Sequence, residues 1–146
     1  MSTRGRTFTF EALEDLELLV AYQGRESPRD VEWDAYLQVL ERQHRVSSRY
    51  RYLTISEGGH PSSAQQARVR AVTHGRTPPV AVVSSSIAIR FVTSLLALFN
   101  HRVQCFGPEQ MERAFEHIGI ARSDQARVRA CIAKLKDQVV NQTEAA

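Results

Sequence analysis

The sequence predicts an α/β protein: a mixed β-sheet of about five strands, in the order β-β-α-β-α-β-α-β-α, covered by helices and followed by an additional C-terminal helix. Three observations predict it. Strand-like stretches alternate with amphipathic stretches of roughly 12–16 residues, the signature of βαβ units with right-handed crossovers. Two strands precede the first helix, so an antiparallel hairpin makes an otherwise parallel sheet mixed. Finally VAVV, residues 80–83, is apolar without alternation, as expected of a central strand buried on both faces.

RTFTFEAL, residues 6–13, alternates with Phe8 and Phe10 on one side, and LELLVAYQG, residues 16–24, supplies the second strand and stops at Gly24. Ser27-Pro28-Arg29-Asp30 offers a cap, a proline for the first helical position and an acid three residues after the serine, so a helix starts there. Trp33, Tyr36, Leu37, Leu40 and His44 then share one face of it. RYRYLTIS, residues 49–56, is the third strand. Gly58, Gly59 and Pro61 break it, and Ser62 or Ser63 caps a helix that runs to about His74, with Ala64, Ala67 and Ala71 expected inward and Gly75 at its end. After VAVV, Ser84-Ser85-Ser86 opens a helix over residues 87–100 whose only charge is Arg90. RVQCF, residues 102–106, is the last strand. The turn Gly107-Pro108 leads into a helix with Met111, Ala114, Phe115 and Ile118 on one face, closed by Gly119. A helix from near Ser123 carries the stripe Val128, Cys131, Ile132, Leu135 and Val139. Residues 6–120 are expected to form the domain, 121–140 a helix packing on it or on a partner, and 141–146 a frayed tail.

Composition narrows the function classes. The 146 residues are 42% hydrophobic and 24% charged, the balance of a globular domain. No segment reaches the roughly 18–20 apolar residues of a membrane span, so a cytoplasmic location is the default expectation. Cys105 and Cys131 sit among apolar neighbours as buried free thiols, and the five histidines fall at no metal-binding spacing, so neither metal nor cofactor is expected. Charge is uneven. Residues 1–41 carry four Arg against nine acids, whereas residues 42–76 carry seven Arg against Glu57 alone. That basic zone reads as solvated helix faces, as a surface for an acidic protein, or least favourably as a nucleic-acid surface, since no binding motif accompanies it.

The pair YLTIS…SSAQQ and VAVVSSS, together with the order and lengths of the elements over residues 6–120, resembles the STAS domain, the small α/β fold of anti-sigma-factor antagonists. Antagonists of that family carry Asp-Ser-Ser/Thr-Gly-Leu-Gly between the third strand and second helix, where the Ser or Thr is phosphorylated by a partner kinase. The matching loop here is Glu57-Gly58-Gly59-His60-Pro61-Ser62-Ser63, with Ala64-Gln65-Gln66 in place of Gly-Leu-Gly. The resemblance implies a non-catalytic protein-interaction module in bacterial signalling or assembly, with Ser62 and Ser63 as candidate phosphosites.

Each serine also precedes a glutamine by three residues, the capping-box arrangement, so capping alone is the favoured reading of them. A catalytic set of Glu57, His60 and Ser62 is the weakest reading, because nearness in sequence does not align a triad. The helix at 87–100 spreads Ile87, Ile89, Phe91, Val92, Leu95, Leu96, Leu98 and Phe99 over more than one face, and something must cover the excess. The C-terminal helix, a homodimer or other protein interface, and an apolar or lipid ligand are the alternatives. The expected partner interface is Ala64, Arg68, Ile87, Arg90, Phe91, Leu95 and Leu98; the competing reading is a small-ligand or lipid-binding protein with a pocket near 87–100.

Overall fold

A computed structural model describes residues 6–76, 78–90 and 102–139. Five strands form one sheet in the order β1-β2-β3-β4-β5: β1 (Phe8–Leu13), β2 (Leu18–Gln23), β3 (Arg51–Ser56), β4 (Val80–Ser84) and β5 (Val103–Phe106). β1 runs antiparallel to β2, through a single 3-10 turn at Glu14–Leu16, and every later pairing is parallel. The expected α/β mixed sheet is therefore the architecture, with helices α1 (Asp30–Val46), α2 (Ser63–Val72), α3 (Met111–His117) and α4 (Gln125–Gln138) covering it.

Alternation along β2 divides the core in two. Leu18, Val20 and Tyr22 join Leu53, Ala81 and Val83 beneath α3 and α4, where Ala114, Phe115, Val128, Cys131 and Leu135 close the layer. Leu19 and Ala21 face the other way, with Phe8 and Tyr52, beneath Trp33, Tyr36, Leu37 and Leu40 of α1. There Phe8 meets Tyr36 edge-on, with ring centroids 5.1 Å apart, and lies 5.5 Å from Trp33. The strand buried on both faces is thus β2, all six of whose residues are buried, and not β4. β4 lies fourth of five; Ala81 and Val83 are buried, but Val80 and Val82 only half so.

Two local expectations are corrected. α1 begins at Asp30 and not at Pro28; Ser27 is exposed, and the first turn is organised by Glu32, whose carboxylate accepts from the backbone N–H groups of Arg29 (2.9 Å), Thr7 (2.8 Å) and Phe8 (3.2 Å). In α2 the alanines Ala64, Ala67 and Ala71 face solvent, while Gln65, Val69 and Val72 turn inward; valines hide more apolar area than alanines, so the stripe settles one residue later. The α4 stripe is consumed by β1 and β2, where the Thr9 hydroxyl donates to the Leu135 carbonyl at 2.9 Å. Burial there pushes the Cys131 thiol up to about 11, helped by the Glu11 carboxylate. Neither cysteine is in a disulfide; Cys131 is buried and Cys105 half-buried.

The lower edge of the sheet is fastened by Arg51. Its guanidinium donates to the carbonyls of Ile118 (2.9 Å), Gly119 (2.8 Å) and Leu16, joining the hairpin turn to the end of α3.

Candidate functional site

The carboxyl ends of β2, β3 and β4 finish on Gln23, Ser56 and Ser84, all buried polar residues that build the floor of an upper rim. The Ser84 hydroxyl donates to the Ser56 carbonyl at 2.7 Å, and the Ser56 hydroxyl donates to the Gly59 carbonyl at 2.7 Å. Gly59 in turn donates its N–H to the Gly24 carbonyl at 2.9 Å. A Cβ at Gly59 would stand 2.0 Å from the Glu26 carbonyl oxygen, so only glycine lets these two loops approach.

Above this floor Ser62 is the N-cap of α2. Its hydroxyl accepts from Gln65 N–H at 3.1 Å, and its own N–H donates to Gln65 Oε1 at 2.9 Å, a complete capping box. Gln65, which the sequence marks only as a capping partner, does more. Its Nε2 donates to the Pro28 carbonyl (2.9 Å) and Asp30 Oδ1 (3.1 Å), and its carbonyl accepts from the Trp33 indole (2.9 Å), so it latches α2 to α1. Ser63 occupies the first helical position with an exposed side chain. On β4's side of the rim, Ser86 caps a second helical start: its hydroxyl accepts from Ile89 N–H at 3.3 Å and its carbonyl from Arg90 N–H at 3.0 Å.

The site residues named from sequence are distributed as follows. Ser62, Ser63 and Ala64 share the exposed first turn of α2, and Arg68 one turn on pairs with Asp34 of α1 at 2.6 Å. Ile87 is 82% exposed and Arg90 is exposed on the same end of the sheet. Phe91, Leu95 and Leu98 lie outside the described residues, as does the stretch over which the surplus apolar surface of 87–100 was to be covered. Glu57, His60 and Ser62 are each engaged elsewhere: Glu57 accepts from the Tyr22 hydroxyl at 2.7 Å, His60 Nδ1 lies 3.1 Å from the Pro61 carbonyl, and Ser62 holds Gln65. Burial, and then the Glu57 carboxylate, hold the Tyr22 hydroxyl above the usual tyrosine range.

Three arginines of the basic zone form exposed ion pairs. Arg42 lies 3.3 Å from Glu14, Arg45 pairs with Glu41, and Arg68 with Asp34. Among the described residues no group of three or more His, Cys, Asp or Glu is placed to hold a metal ion, and no helix is long and apolar enough to cross a membrane. No family model, curated protein or solved structure matches this chain.

Proposed function

We propose that this protein is a non-catalytic, STAS-like interaction module of bacterial-type intracellular signalling or assembly, docking a protein partner on the upper rim. The observation that carries the reading is the exposed first turn of α2, Ser62 to Ala64, on the same sheet end as the 82% exposed Ile87. Strand order supports it. Ligand crevices in open α/β sheets form where the order of parallel strands reverses, and β2 to β5 march in one direction, so the rim favours surface docking over a cleft.

The two serines divide the work. Ser62 is committed to capping, whereas Ser63 presents its side chain outward at the positive end of a helix. A phosphate there adds about −1.5 to −2 charges, tolerated by the free N–H groups beneath but disruptive to a partner surface built for a neutral hydroxyl.

The test is site-specific photo-crosslinking in the native host, with the probe at Ala64 and Ile87, and at Glu112 on the opposite layer as control. A defined adduct from the first two positions only, lost in Ser63→Asp, is the expected result; an adduct of twice the chain mass makes the partner a second copy. Equal labelling from all three positions, or an adduct indifferent to Ser63→Asp, would remove the docking surface or the switch respectively.

A further inference from the structure

β1 is an edge of the sheet, and the backbone settles which of its groups face outward. The Gly24 N–H donates to the Thr7 carbonyl at 2.9 Å, so the antiparallel ladder to β2 is built from the alternate residues Thr9, Glu11 and Leu13. The N–H and C=O groups of Phe8, Phe10 and Ala12 therefore point away from the sheet. Two fastenings close the upper part of that edge: the Phe8 N–H donates to Glu32 at 3.2 Å, and Val139 forms a parallel bridge with Arg6. Below them, no hydrogen bond from the described residues reaches the outward groups of Phe10 and Ala12.

Open strand edges are ordinarily blunted by proline, lysine, a bulge or an uncompensated charge. FTFEAL, residues 8–13, carries none of these: its register with β2 is unbroken, and Glu11 is paired with Lys134 of α4. Above the edge, the flank of α1 that sends Glu32 to Phe8 is apolar. Val31, Ala35 and Val39 recur along it at every fourth residue; Val31 is 71% exposed, Ala35 is exposed and Val39 half-buried. Beneath that flank lies the half-buried Phe10, its ring 5.4 Å from Tyr36. Unpaired backbone and an apolar wall thus share one side of the molecule.

We infer that β1 pairs antiparallel with β1 of a second copy of this chain, joining the two sheets across a two-fold axis at Phe10. The outward residues set the register: Phe10 stands opposite its own copy, Phe8 opposite the copy's Ala12, and Arg6 opposite the copy's Glu14. Each Phe10 exchanges both of its free backbone bonds with the other. Each Ala12 N–H donates to the copy's Phe8 carbonyl, and the Phe8 N–H keeps Glu32.

Length and charge choose a second copy over an unrelated extended peptide. Val139 shuts the edge at Arg6, where a longer peptide running along β1 would collide with it; the copy's strand stops at that level, because its chain leaves the sheet after Leu13 in the turn Glu14–Leu16. Arg6 and Glu14 are both exposed and opposite in sign, so each end of the pair brings a cation to an anion. The pairing of Glu11 with Lys134 leaves no bare carboxylate at the axis, and the α1 flank meets its own image with the small Ala35 at its middle. This surface is separate from the upper rim, so its test does not depend on the docking proposed there.

The test is sedimentation equilibrium of the full chain over a range of concentrations, with amide hydrogen exchange followed at the two extremes. A reversible species of twice the chain mass is expected, and the Phe10 and Ala12 amides gain protection as it forms. Ala12→Pro removes an outward N–H and no bond of the β1–β2 ladder, so it should raise the dissociation constant about tenfold or more. Should Ala12→Pro fail to fold, Val31→Lys on the exposed flank of α1 weakens the dimer in the same direction. A dimer whose Phe10 and Ala12 amides stay unprotected, or one that persists unchanged in the variants, overturns the inference. So does a chain that stays monomeric, including one whose edge amides are protected at every concentration by another segment of the same chain.

Discussion

Ser62 and Ser63 are adjacent, chemically identical and unequal. One hydroxyl satisfies a backbone N–H that the helix cannot, and the other stands in solvent. Ser62→Ala is therefore expected to lower the unfolding free energy by about 1 kcal/mol, whereas Ser63→Ala stays within about 0.5 kcal/mol of the parent, as read from urea unfolding midpoints. Equal losses would mean that both serines share the cap. The spacing to Gln65 and Gln66 makes a capping box legible for either serine, but choosing between them requires the backbone. The burial of Gln65 was legible only in hindsight: a glutamine three residues after a helix cap signals a cap partner, and its contacts with Pro28, Asp30 and Trp33 span more than thirty residues of chain.

Among the elements, α4 is fastened to the β1–β2 hairpin. Leu135 is 1% exposed between α4 and the β1–β2 hairpin. Leu135→Ala should cost about 2–5 kcal/mol, with a smaller loss for the half-buried Ile132, measured by thermal or denaturant unfolding. A loss below about 1 kcal/mol would show that the helix is dispensable to the core. All five strands and the helices that frame them were readable from period and punctuation, because strands and amphipathic helices write their burial into spacing. Faces were harder. An alanine stripe and a valine stripe one residue apart fit α2 equally well on paper, and the sheet decides between them by the area each can hide. Likewise the unbroken apolar run VAVV suggested the doubly covered strand, but coverage depends on where α1 and α4 land, and they land on β2.

For the molecule as a whole, acid acts in two stages. His44 stacks on Tyr52 at 6.1 Å, and burial, with Arg76 and His74 nearby, pushes its pKa below the usual histidine value. Its neutral form is favoured by folding, so the unfolded chain takes up the proton first, and stability declines as pH falls through about 6.5. Glu32 acts oppositely in origin: burial alone would raise its carboxyl, but hydrogen bonds from Thr7, Arg29 and Phe8 outweigh it and hold the pKa low. The stability it contributes is present above about pH 4.5 and is lost as pH falls through the depressed value. A stability–pH curve should show a shallow shoulder and then a steeper acid limb, with the shoulder removed in His44→Gln; a shoulder that survives this change refutes the assignment. Charge matters at long range too. Of the seven arginines between positions 42 and 76, three exposed ones face carboxylates, Arg51 is wrapped in carbonyl oxygens, and Arg49, Arg70 and Arg76 are exposed as well. Seen from a distance the zone is a set of near-neutral dipoles with a few cations among them, and the pull it exerts on a polyanion is far weaker than the raw tally of positive side chains would suggest.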